Sequence, residues 1–198
     1  MSWAGSRAAS LTRSFGAVLA GSLLLAAATS VARAGDDSTA RLRSMLAQGY
    51  EQAPSAADVA TFGPGVDRAL MEIYRDPSSP LLHRMRAMDL LAGFPSEELK
   101  TLLDTESART DLPPALARRV LATAVQAFGE PEPAVAERVW QANSASADST
   151  VRYDAAQMLG KLHPSAALLT VARQRATTET DASVKAELDR RIEAAAPR

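Results

Sequence analysis

Beyond residue 38, apolar residues recur at i, i+3, i+4 and i+7 in segments of 10–15 residues. Strand-like alternation is almost absent. Short breaks rich in Pro, Gly, Ser and Asp separate the segments. The first predicted helix covers about Ser38–Gln48, with Leu42, Met45 and Leu46 on one side. Ala53-Pro54-Ser55 breaks it. Ser55, with Asp58 three residues on, has the form of a capping box with Asp in the usual Glu place. Gly63-Pro64-Gly65 then opens a helix over about Pro64–Arg75, facing inward through Val66, Leu70 and Ile73.

From Leu81 onward the chain is repetitive. Four segments run Leu81–Phe94, Ala115–Phe128, Ser149–Leu162 and Ala182–Ala195. A shift of 34 residues superposes Arg84, Arg118 and Arg152. It also superposes Ala87, Leu121 and Ala155, then Leu91, Val125 and Leu159, then Phe94, Phe128 and Leu162. A further shift of 33 adds Lys185, Leu188, Ile192 and Ala195. Pro95, Pro131 and Pro164 come just after the first three segments. Shorter helices are expected between them, at about Ser96–Thr105, Pro133–Gln141 and Ser165–Arg175. The unit is a helix pair of about 34 residues, repeated about four times between Pro64 and Ala196. One pair cannot cover its own apolar stripe, whereas stacked pairs bury a continuous core. The expected fold is therefore all-α: an α-solenoid of about four antiparallel helix pairs over residues 64–198. Residues 35–63 form its N-terminal helical cap and linker.

The third unit reads Asp148-Ser-Thr-Val151-Arg152-Tyr-Asp-Ala155-Ala156-Gln-Met-Leu159-Gly160-Lys-Leu162. It resembles the HEAT repeat, in particular the shorter bacterial HEAT-like repeat of the phycobilin lyase type. That pattern opens with Asp, two residues and Val-Arg, then places Ala-Ala and Leu-Gly at helical spacing. Asp181-Ala-Ser-Val184-Lys185 repeats the opening. The first two units keep Arg84 and Arg118 and the apolar positions but lack the Asp. The resemblance implies a superhelix and a structural Arg paired with the Asp before it, as Asp148 with Arg152 and Asp181 with Lys185. Bilin attachment, the activity of that lyase group, does not suit an exported chain. A tetratricopeptide-type adaptor has the same period, but its Trp-x-x-Leu-Gly-x-x-Tyr pattern does not occur here.

The start of the chain has a different logic. Arg7 and Arg13 precede an apolar run from Phe15 to Ala28, and Ala32-Arg33-Ala34 supplies small residues at a cleavage site. Positive start, short apolar middle and small-x-small end predict a secretory signal peptide over 1–34. The expected product is periplasmic or secreted, with a membrane attached only through an uncleaved leader. Removing three arginines and no acid takes the formal charge from -1 to -4. Neither value gives a field that draws the chain to nucleic acid. Cysteine is absent, so thiol catalysis and thiolate metal sites are excluded.

Catalytic signals are thin. His83 and His163 have no second His or carboxylate at metal-ligand spacing, and Gly-x-Ser-x-Gly and phosphate-loop motifs are missing. Glu97, Glu98, Glu132, Glu137, Asp189 and Glu193 are read as a solvated outer face. No cofactor or metal is expected. The candidate protein-binding residues are Arg84, Arg118, Arg152 and Lys185, which share one register, and Trp140. The four cations form a basic ladder along the second helices, able to grip an acidic segment. Trp140 is either an interface anchor or a core residue. The expected function is a monomeric, non-catalytic protein-binding or scaffold protein of the bacterial envelope. The alternative is an exported enzyme or chaperone-like factor with a pocket on the solenoid face.

Overall fold

The computed structural model describes residues 39–48 and 54–195. The predicted leader over 1–34 lies outside the described residues. The chain divides into two units, 1–37 and 38–198, and every described helix belongs to the second. Among the described residues there are ten helices and no strand. They are α1 (39–46), α2 (Ala56–Ala60), α3 (Val66–Arg75), α4 (Leu81–Leu91) and α5 (Glu97–Ser107). Then come α6 (Pro114–Phe128), α7 (Pro133–Asn143), α8 (Ser149–Leu159), α9 (Ala166–Thr178) and α10 (Ala182–Ala195).

Local chemistry sets the ends. The Ser55–Asp58 capping box forms as expected at the start of α2. Ser96, Asp148 and Ser165 accept from free backbone N–H groups at the starts of α5, α8 and α9. Pro114 and Pro133 take first-turn positions, where a missing N–H costs nothing. Gly63 and Gly65 have φ of 88° and 86°, a left-handed backbone that explains two glycines between α2 and α3. Helices α4 and α8 stop at Leu91 and Leu159, three residues short of the expected ends. Tight bonds such as Phe94 N–H to the Leu91 carbonyl and Lys161 N–H to Met158 carry the chain out of the helix there.

The packing order skips along the chain. Helix α4 packs on α6, α6 on α8 and α8 on α10, while α5 packs on α7 and α7 on α9. Helix α6 also touches α5 and α7, and α9 touches α10. Between the two rows lies the core. Ala87, Leu121, Ala155 and Leu188, which share one register in the sequence, are all buried there, as are Leu91, Val125 and Leu159. Polar links have the same spacing. Tyr74 Oη donates to Glu106, Arg138 to Asp104 and Thr123 Oγ1 to the Met88 carbonyl, each spanning 32–35 residues. Helix α7 runs two residues past its expected end at Gln141. Gln141 to Asn143 finish α7, and Asn143 and Ser144 are buried. No described helix is long and apolar enough to cross a membrane.

Candidate functional site

The four ladder cations sit at the fourth or fifth residue of α4, α6, α8 and α10, and those helices pack side by side. The register is therefore one row of the fold. The side chains do not form one surface of free charge. Arg84 Nε donates to the Tyr74 carbonyl at 2.7 Å, and its guanidinium lies 5.6 Å from the centre of the Tyr74 ring. It closes the turn from α3 to α4. Arg118 crosses to Asp154 on α8. Lys185 pairs with Asp189 one turn along α10, at 2.7 Å.

Arg152 is the most constrained. Its Nη1 donates to the Ser146 and Ala147 carbonyls at 3.0 Å each, and its Nε and Nη2 grip Glu179 at 2.8 and 2.9 Å. The Glu179 side chain is only 6% exposed. Its bond to Arg152 is the main cause that lowers its pKa from 4.5 to about 2. A planar guanidinium with five donors satisfies two carbonyls and a carboxylate at once, which a lysine ammonium does with far less geometric control.

The expected i,i+4 pairs are replaced by other partners. Asp148 Oδ1 accepts from Thr150 N and Val151 N, and Asp181 Oδ1 from Ser183 N and Val184 N. An Asp one residue before a helix lies closest to the orphan N–H groups of its first turn, and its charge suits the positive end of the helix dipole. Each aspartate therefore caps its helix, leaving Arg152 and Lys185 to other carboxylates.

Trp140 presents no exposed surface. It is fully buried on α7, and its indole N–H donates to the Ala155 carbonyl on α8 at 2.6 Å. A large apolar ring with one satisfied polar tip belongs to the core. Of the two histidines, His163 is exposed in a turn and His83 is half-buried on α4.

Ion pairs recur along the α4–α6–α8–α10 row. Arg119 reaches Asp89 at 3.4 Å, beside the Arg118–Asp154 and Lys185–Asp189 pairs. Burial holds the Asp89 carboxyl above its ordinary value despite Arg119. Leu81 is 46% exposed, and Ala122, Gln126 and Met158 line a groove between α6 and α8 together with Glu130 and Lys161.

Two buried acids are absent from the residues singled out by sequence. Glu106 accepts from the Tyr74 hydroxyl at 2.7 Å and from Arg109 at 3.1 Å. Burial and the Glu106 carboxylate together push the Tyr74 phenol far up. Glu187 is held by Arg190 and Arg191. The signal was there: Glu106 continues the stripe of Leu99, Leu102 and Leu103, and Glu187 sits beside Leu188 and three residues after Val184. The chain matches no protein-family profile, no curated protein and no solved structure.

Proposed function

We propose that this chain is a non-catalytic protein-binding or scaffold protein of the bacterial envelope, built as a small HEAT-like solenoid. The observation that carries the reading is the alternating order of packing, with α4, α6, α8 and α10 in one row and α5, α7 and α9 in the other. Helix pairs joined only to their neighbours leave each row as a broad surface assembled from several units. The α4–α6–α8–α10 row is the binding face in this reading. Three of its four ladder cations hold carboxylates, so recognition rests on shape and on uncharged side chains such as Leu81, Gln126 and Met158. An acidic partner has no free basic ladder to grip, because three of the four cations already hold a carboxylate.

The test is photo-crosslinking in the native cell from a tagged full-length chain. Wild type is compared with an A122E/Q126E variant, which places charge in the groove without breaking an ion pair. One defined partner held by wild type and lost from an equally helical variant supports the binding face. A partner retained equally by both contradicts it. Export belongs to the same proposal. N-terminal sequencing of the cellular protein is expected to start at Gly35, and an intact Met1 start on all of the protein would refute export by cleavage.

A further inference from the structure

In the middle of the chain, the charges that the fold leaves unpartnered fall together. Residues 114–165 carry ten Asp, Glu, Arg and Lys side chains. Eight of them hold an ion pair or a hydrogen bond within the fold. The other two, Glu130 and Lys161, have no side-chain partner among the described residues, and both are exposed. Glu130 comes from the turn after α6 and Lys161 from the turn after α8. Both line the groove between those helices, and they do not pair with each other.

The rest of that lining is mostly apolar. Ala122 and Val125 come from α6 and Met158 from α8, with Gln126 as the one amide. A half-buried thioether such as Met158 adapts to apolar side chains of different shape. The groove holds about 440 Å³, within the roughly 300–1,000 Å³ of ligand sites. It is open at the surface, which suits a side chain carried on a passing segment.

An apolar groove alone accepts almost any apolar side chain. Two unpartnered charges of opposite sign make a narrower demand. A like charge brought beside either one is repelled and an unlike charge is held, the more so as the partner displaces water.

From this arrangement we infer that the groove docks a peptide segment of a partner protein that carries an apolar side chain with one acidic and one basic residue near it. The apolar side chain packs on Val125 and Met158, the acid pairs with Lys161 and the base with Glu130. This docking rests on the α4–α6–α8–α10 row being the binding face, and it names the chemistry of what that face holds.

Panning a phage-displayed random heptapeptide library on the immobilised full-length chain tests it. The targets are wild type, Lys161→Glu and Glu130→Lys, matched for helicity by circular dichroism. Neither substitution breaks an ion pair of the described residues. Wild type is expected to enrich peptides with an apolar residue accompanied by one acid and one base. Lys161→Glu is expected to enrich two bases in place of that pair, and Glu130→Lys two acids. The switch does not depend on which way the peptide lies. In solution, the strongest wild-type peptide is expected to lose up to about fivefold in affinity with Lys161→Ala or Glu130→Ala, the scale of an exposed ion pair. It is expected not to bind A122E/Q126E. The same sequences enriched on all three targets, uncharged peptides enriched on wild type, or no enrichment over target-free beads would overturn the inference. Its failure is distinct from that of the binding face. A cellular partner lost from A122E/Q126E with charge-independent panning keeps the face and removes the charged site. The charge switch with a cellular partner retained by A122E/Q126E keeps the site and removes the face.

Discussion

Arg152 and Glu179 show how one ion pair fastens two turns of the fold. The arginine holds the carbonyls that precede α8, and the glutamate closes the turn that precedes α10 by accepting from Asp181 N as well. Truncating one partner strands the other in a nearly dry site. Arg152→Ala is expected to lower unfolding free energy by about 3–5 kcal/mol in urea melts. The pH dependence has a definite sign. Glu179 is depressed below its ordinary 4.5 to about 2, so its contribution is complete above 4.5 and lost as pH falls through 2. The stability gap between wild type and Glu179→Gln should be constant from pH 7 to 5 and close below that. A gap that widens on acidification would contradict the pairing. Trp140→Phe tests the neighbouring core contact. It removes the indole N–H bond to Ala155 and leaves a small void, at an expected cost of about 1–3 kcal/mol. A variant as stable as wild type would mean that Trp140 is not packed as described.

At the scale of helices, caps and stripes decide what forms. Asp148 satisfies two first-turn N–H groups of α8, so Asp148→Ala is expected to cost about 1 kcal/mol. Amide exchange should show the loss as faster exchange at Thr150 and Val151. Unchanged protection there would assign Asp148 to a pair with Arg152 instead. Helix positions were legible in the sequence because capping residues, prolines and the apolar period all mark the same places. Helix α10 spans Ala182–Ala195 in both readings. Side-chain partners were not legible. Asp148 and Arg152 have the right spacing for a pair on one helix, yet the competing acceptor, Glu179, comes from another turn 27 residues away. Spacing along one helix carries no information about which turn lies beside it. Asn143 lies two residues past the expected helix end at Gln141, and it is buried at the end of α7.

For the whole molecule, the same period appears twice, first as apolar register and then as polar links that join each helix to the one two places on. Leu121 and Ala155 are both buried, and Arg138 reaches back 34 residues to Asp104. In the proposed solenoid, stability is close to a sum over units and their interfaces, which makes one unit removable. The most direct measurement is therefore to excise one period, residues 119–152, joining Arg118 to Tyr153 in the same helical register. The stack account predicts a shorter chain that keeps its helical signal per residue and still unfolds cooperatively in urea, at lower free energy. A chain that loses most of its helix, or melts without a cooperative transition, would contradict it.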